Sequence, residues 1–553
     1  MHSSSKFLSS LGLIFALGSS IAGALPSASA STLDRRQGSH AACEPGSFPI
    51  QELQVSPEGM GPAKEVRVSI VNNNQLPIFG ACGVQVTFQP PDSTNDIALQ
   101  VFMPEGWNNK FLTVGNGGFD GGFNTAEMVA RIAHGFAVMS TDTGHRSSGV
   151  DYTWASGSNG QAKQTDWGWR AMHFSVPIAK KVVELFYASA PAKSYYAGCS
   201  TGGRQGLKLL ENPPSPDAFD GYLIGAPADN RYLMPWVSYV QTINSPDPIL
   251  EEEVQYINRV VLGACEKDQF GLVADIEVCR NKLMDRTVYG TPCANGQTAP
   301  ACLSELQINN TMAMLRPGPV DSGHDESGKG FIHEGYDPGA AFAFAVSADM
   351  SIYPYLESLG FGTEFGKNFL NASIVWNPAD TGAEYTDLTY KWDSSHNISP
   401  NFRTEWTFSK PVILYAGQRD YVIPGRHTAA LHEKLKARAA NGNFKYFEVP
   451  GMDHCFNIGA HLGNPAWYMG GGGLSGILPF QGGAAPWIEK GSDIVQPGTD
   501  ALMALDAWAT GAGAPDQLQA TGFVANSLRK DATTGKVSYR VGPSLTGSIS
   551  PID

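Results

Sequence analysis

Short apolar runs rich in β-branched and aromatic residues recur at positions 66–71, 97–103, 111–114 and 136–140, separated by glycine or polar turns. Runs of this length and composition predict strands rather than helices. A longer stretch, 176–188, repeats its apolar residues at helical spacing and leads into another short run at 194–198. Further strand candidates follow at 219–225, 411–417 and 444–449, with helical patterning at 427–439 and 499–508. This alternation predicts a mostly parallel sheet covered by helices, because each parallel crossover needs a covering element. Between 229 and 395 the texture changes: strand-like runs thin out, and four cysteines fall within 265–302. Insertions at loops leave a parent core intact. The pattern therefore predicts one α/β domain, 37–228 with 396–553, carrying an inserted, disulfide-stapled unit at 229–395.

The first 30 residues bear on the compartment. His2 and Lys6 precede an apolar run at 8–24, and small residues offer cleavage after Ala24 or after Ala30. A run this short, ending in cleavage-like residues, predicts a secretory signal peptide over 1–24 rather than a membrane anchor. Arg35 and Arg36 make a dibasic pair, either a second processing site that defines a propeptide at 25–36 or two solvated arginines in a linker. No later segment is apolar enough to span a bilayer, so no membrane partner is expected. Eight cysteines, an even number, fit an exported chain with four disulfides. Sequons at Asn309, Asn371 and Asn397 mark candidate glycosylation sites, the last followed by Pro400. Composition changes the picture in one respect. With 38 Lys and Arg against 52 Asp and Glu, the 553-residue chain carries a formal charge of -14, which argues against a nucleic-acid partner.

The chemistry concentrates at Gly198–Cys199–Ser200–Thr201–Gly202–Gly203, between a strand and a helix-like run. Glycines two residues to either side permit a turn so tight that it exposes the serine oxygen and aims the next N–H at a developing oxyanion. A serine hydroxyl needs a base that is itself oriented by a carboxylate. The strand at 411–417 runs into Asp420, and that at 444–449 runs into His454, which places Ser200, Asp420 and His454 in α/β-hydrolase order. Asp453 is the rival carboxylate, but its side chain diverges from that of the adjacent histidine. Cys199 is a rival nucleophile, displaced by one residue from the exposed elbow position. A second oxyanion donor is expected from the glycine loop 115–121, with Gly118 favoured and Gly117 as its alternate, alongside Thr201. Asp142, His145, Arg170 and His173 are either substrate contacts or a network that fixes loops beside the sheet. Cys199 and Cys455 flank Ser200 and His454, and a bond between them would tie the two loops together.

Several of these segments resemble the tannase and feruloyl esterase family: GCSTGGRQG at 198–206, the two cysteines beside the serine and histidine, STDTGH at 140–145, and Asp166 to His173 with Arg170. The region at 499–515, with Leu505, Trp508 and Pro515, is also similar. The resemblance spans roughly 43–515. It implies an α/β-hydrolase fold with a large lid at 229–395 and a secreted serine esterase acting on plant phenolic esters. It also implies the pairs Cys43 with Cys82, Cys199 with Cys455, Cys265 with Cys279, and Cys293 with Cys302. Members often carry calcium in the lid, which here would fall on Asp268, Asp275 and Glu277 with the Gly271 and Val273 carbonyls. Gln269, Phe270 and Ile276 depart from the usual repeat, and a metal-free loop is the competing reading. No organic cofactor is expected. The leading expectation is release of ferulic or p-coumaric acid from plant polysaccharide esters through an acyl-enzyme. A tannase acting on galloyl esters, or a related aromatic esterase, is the alternative, and a catalytically silent binding protein on the same fold is the rival from another class. Leu303, Phe331, Phe342, Phe344, Tyr353 and Tyr355 are candidates for an apolar acyl pocket.

Overall fold

The structure is a computed structural model. It describes residues 41–553 apart from 55–62, 72–80, 148–150, 295–300, 318–334, 339–362, 456–468, 471–494, 524–528, 531–536, 539–540, 545–551 and a few isolated positions. The proposed leader and propeptide therefore lie outside the described residues. So do Phe331, Phe342, Phe344, Tyr353 and Tyr355.

A nine-stranded sheet organises the molecule: β1 (Ala63–Val71), β2 (Ala81–Phe88), β3 (Ile97–Pro104), β4 (Lys110–Val114), β5 (Ala137–Thr141), β6 (Lys193–Cys199), β7 (Gly221–Gly225), β8 (Val412–Gly417) and β9 (Phe444–Val449). Their order in space is β1-β2-β3-β5-β4-β6-β7-β8-β9. The β1–β2, β2–β3 and β3–β5 pairs are antiparallel, whereas every pairing from β5 through β4 to β9 is parallel. Because the parallel strands share one direction, their C-terminal ends, Val114, Cys199, Gly225, Gly417 and Val449, open on the same side of the sheet. The loops that follow them meet there.

Alternation along each strand divides the core in two. Leu112, Val138, Tyr195, Leu223, Ile413 and Phe447 point into one cluster. Their neighbours Phe111, Ala137, Tyr196, Tyr222, Leu414 and Tyr446 point into the other. Helices Thr125–Ile132 and Ala501–Ala507 cover the first face through Met128, Ile132 and Leu505. Ala171–Tyr187, Thr201–Glu211 and Gly425–Lys436 cover the second through Val176, Val182, Leu207 and Leu435. Strands buried on both faces read as near-continuous apolar runs, which is why the six parallel strands, β4 to β9, stand out in the sequence. A truncation such as Leu414→Ala would cost about 2–5 kcal/mol.

Two differences from the sequence pattern have physical reasons. Strand β2 interrupts its apolar residues with Gly83, Gln85 and Thr87, and its conformation is imposed by ladders to β1 and β3 on either side. The helix expected from 176 begins at Ala171 and carries Pro177 inside it. Burial of Ala171 and Met172 in the second core holds the turn that Pro177 by itself disfavours.

Between β7 and β8 the described residues are mostly helical, with Asn230–Asn244, Glu251–Ala264, Ile276–Leu283, Glu305–Met314, Thr363–Phe369 and Ala383–His396. Its buried residues Leu233, Trp236, Ile257, Leu303, Phe365 and Trp392 join the same cluster as the first sheet face. This segment thus shares a core with the sheet. Two disulfides staple it locally, Cys265–Cys279 and Cys293–Cys302, while Cys43–Cys82 ties the N-terminal segment to β2.

Candidate active site

Ser200 occupies the single residue between the end of β6 and the helix Thr201–Glu211, with φ 62° and ψ −126°. A non-glycine residue held at positive φ costs about 1–3 kcal/mol, so surrounding contacts must enforce it. The Ser200 N–H donates to Gly225 O at 3.0 Å, and its carbonyl accepts from the N–H groups of Arg204 and Ala228, each at 3.1 Å. The neighbouring glycines are sterically required: a Cβ at 198 would lie 2.7 Å from Gly202 O, and one at 203 would lie 2.3 Å from Gly225 O. Cys199 and Thr201 are buried, but Ser200 itself is partly exposed.

Asp420 follows β8 and His454 follows β9. His454 Nδ1 lies 2.8 Å from Asp420 Oδ2, with the carboxylate fully buried and the histidine side chain 15% exposed. The other carboxylate oxygen, Oδ1, accepts from the N–H groups of Val422 at 2.9 Å and Ile423 at 2.8 Å. Asp420 is thereby aimed by its own loop, and the contact fixes the imidazole so that Nε2 faces away from the carboxylate. Asp453 turns elsewhere, to Arg419, with 3.5 Å between Oδ1 and Nε. Burial pushes its carboxyl up to about 7 despite the pull of Arg419. Cys455 is bonded to Cys199, with Cα atoms 5.9 Å apart, so the histidine loop is fastened beside the serine turn across 256 residues of sequence.

The glycine loop after β4 packs directly on that turn. A Cβ at Gly115 would come within 2.6 Å of Gly202 Cα, and one at Gly202 would come 3.0 Å from Asn116 O, so only glycines allow the two backbones to approach this closely. Gly118 has φ 50°, and a Cβ at Gly117 would meet nothing within 4 Å. Thr201 opens the helix that follows Ser200.

The remaining polar candidates form a scaffold. Asp142 Oδ1 accepts from the N–H groups of Ala98 and Gly144, each at 2.9 Å. His145 stacks on Trp154 at 3.7 Å and bonds through its ring to Phe119 O and Thr143 Oγ1. Burial pushes that imidazole down to about 4, so it stays neutral across the physiological range. Arg170 pairs with Asp166 at 2.7 Å, and Asn95 joins them through the same carboxylate. His173 lies against Trp169 and Phe174. Leu303 is fully buried in the core shared with the sheet.

The calcium expectation is overturned. Among the described residues no cluster of three or more His, Cys, Asp or Glu side chains could hold a metal ion, and the candidate ligands are committed to other partners. Asp268 Oδ1 accepts the N–H of Leu272, Asp275 Oδ1 caps the helix Ile276–Leu283 through the N–H of Val278, and Glu277 pairs with Arg280 and Arg426. Lys267 and Val273 bridge as a small hairpin, with Gly271 at φ 79° in its turn. Calcium needs six to eight oxygens converging on one point, and these carboxylates gather into no such cluster. A ligand at 100 times its Kd would add ~2.7 kcal/mol to stability. Chelation followed by calcium addition should therefore leave the melting temperature unchanged, and a reproducible calcium-dependent rise would reinstate the site.

Asn309, Asn371 and Asn397 are all exposed; Asn397 Oδ1 also accepts from Lys208 Nζ at 2.9 Å, and Ser399 of its sequon is buried on Asp393. One contributor escaped the sequence reading although it stands in the serine motif. Gln205 Oε1 accepts the Asn116 N–H at 3.0 Å and so locks the glycine loop after β4 to the serine helix. Its place one turn after Ser200 was the available signal.

A family model described as "Tannase and feruloyl esterase" matches residues 82–358. A probable feruloyl esterase B-2 from Aspergillus flavus is 28% identical over 475 residues, 82% of either chain. Feruloyl esterase C from Talaromyces stipitatus is 24% identical, covering 81% of this chain and 79% of that one. Among solved structures, feruloyl esterase B from Aspergillus oryzae superimposes with a TM-score of 0.62 at 20% identity, over 90% of this chain and 96% of that one. Tannin acyl hydrolase from Aspergillus niger does so at 0.60 and 16% identity, over 90% and 92%. The structural likenesses carry the fold.

Proposed function

The chain belongs to the tannase and feruloyl esterase family and is an ester hydrolase, and from that premise we propose that it cleaves hydroxycinnamoyl esters with Ser200 as nucleophile, His454 as base and Asp420 as the carboxylate that orients it. The observation that carries the reading is the 2.8 Å contact of His454 Nδ1 with Asp420, on a loop bonded through Cys455 to the residue before Ser200. As Ser200 Oγ attacks the ester carbonyl, His454 Nε2 takes its proton, and the imidazolium is stabilised by Asp420. The N–H groups of Thr201 and Gly118, with Gly117 as alternate, receive the oxyanion. Collapse expels the alcohol, which takes the proton from His454, and leaves an acyl-enzyme. His454 then activates water, the acid departs and Ser200 regains its proton.

The sheet with its helical insertion is read as an α/β-hydrolase whose lid is the segment 229–395. The family and the feruloyl esterases among its relatives support ferulic or p-coumaric esters of plant cell-wall polysaccharides as the substrate class. The fold likeness to tannin acyl hydrolase keeps galloyl esters as the second reading. The leader-like N-terminus and four disulfides support export, with Asn309, Asn371 and Asn397 as exposed glycan sites. Among the described residues no helix is long and apolar enough to cross a membrane. Assays on methyl ferulate, p-coumarate, sinapate and gallate test the preference. We expect kcat/KM on ferulate or p-coumarate to exceed that on gallate by at least about ten-fold, which corresponds to ~1.4 kcal/mol of transition-state discrimination. The reverse order would make the enzyme a tannase.

A further inference from the structure

Asp420 is aimed by its own loop, but what holds that loop comes from the segment between β7 and β8. The Tyr336 hydroxyl donates to the carbonyl of Tyr421, the residue after Asp420, at 3.2 Å. Its neighbour Asp337, 1% exposed, meets Arg280 Nη2 at 2.6 Å and lies 3.8 Å from Nε of Arg426, which stands in the first turn of the helix that closes the Asp420 loop. Glu277 completes the ring, at 2.6 Å from Arg280 and 2.8 Å from Arg426. A Cβ at Gly425 would stand 2.9 Å from Asp337 Oδ2, so the loop is glycine where the carboxylate presses on it. Tyr336 is itself fixed, with its N–H bonded to Met314 O at 2.8 Å and its ring packed edge-on to Trp236 at 5.5 Å.

We propose that Tyr336 and Asp337 are positioning residues for the catalytic carboxylate: together they grip the Asp420 loop at both ends, at Tyr421 and at Arg426, and thereby set the distance from Asp420 to His454. The proposal rests on the reading of Asp420 as the triad acid. Neither residue touches a reacting atom, so loosening the grip lowers turnover with little effect on substrate binding. Small errors in the placement of a catalytic group are costly to rate, and the buried Arg280–Asp337 pair is a short charge-assisted contact that holds Asp337 in place.

The test is a double-mutant comparison with p-nitrophenyl acetate, an ester that makes few demands on an acyl pocket. Asp337→Asn should lower kcat about ten-fold and Tyr336→Phe about three-fold, with KM moving less than two-fold. Asp420→Asn alone should lower kcat roughly 10³–10⁴-fold. In the Asp420→Asn background both further substitutions should have no effect, because no carboxylate is left to be placed. A merely structural role would give equal losses in both backgrounds, and that result, or unchanged kcat in both single variants, overturns the proposal. If Asp337→Asn fails to fold, Tyr336→Phe carries the same comparison, since it removes only one hydroxyl. Full turnover in Asp420→Asn would instead overturn the triad reading, separately from the grip.

Discussion

Replacing Ser200 with alanine should lower kcat/KM by roughly 10⁴–10⁶-fold on every ester tested while leaving the melting temperature nearly unchanged. The size of the loss follows from the chemistry: without the hydroxyl no acyl-enzyme forms, and only the backbone donors and substrate binding remain. The small effect on stability follows from the site. Ser200 is partly exposed, and its enforced conformation depends on backbone bonds to Gly225, Arg204 and Ala228 that alanine keeps. Alanine at φ 62° bears the same backbone strain as serine. Turnover comparable to the parent in a purified, folded variant would remove Ser200 from the mechanism. Trapping of a covalent adduct by a phosphonate in the parent, absent in the variant, would give the same answer without a substrate.

Exchanging both Cys199 and Cys455 for alanine should lower kcat about 10²-fold with KM changing less than three-fold. The bond is adjacent to Ser200 on one side and His454 on the other, so its removal frees the two loops to drift by fractions of an ångström. A misplacement near 1 Å can cost about 10²-fold in rate. Stability should fall as well. For a sequence separation of 256 residues, the chain-entropy estimate is about 5.5 kcal/mol, an upper figure because strain and residual structure reduce it. The decisive measurement is turnover of the folded double variant well below its melting temperature. Unchanged kcat there would deny the bridge any positioning role, and peptide mapping that found either cysteine bonded elsewhere would deny the bridge.

Legibility in the sequence tracked how local the determining physics is. Strands buried on both faces, such as β6 and β8, announce themselves because sandwiching between two helix layers demands apolar residues at every position. The serine turn was legible for a related reason: the clashes that a Cβ at 198 or 203 would meet leave only glycine at those positions, and glycine is visible. Strand β2 was not legible, since its pairing on both sides substitutes for local propensity. The calcium expectation failed because, among the described residues, the candidate carboxylates form no metal-holding cluster. The residue types suit a hard cation, but folding spends Asp275 on a helix cap and Glu277 on two guanidinium groups.

The amino-acid sequence by itself determined the α/β alternation, the tight turn that presents Ser200, and the chain order of serine, aspartate and histidine, because each is written in periodicity or in glycine placement over a few residues. Tertiary structure decided the rest. It set the Asp420 carboxylate 2.8 Å from His454 Nδ1 while turning Asp453 to Arg419, and it bonded the Asn116 N–H of the glycine loop to Gln205 on the serine helix. It also brought Tyr336 and Asp337 against the Asp420 loop from more than 80 residues away in the chain. Those choices depend on directions of buried side chains relative to partners distant in sequence, and that information exists only once the parallel strands have brought their C-terminal ends to one side of the sheet.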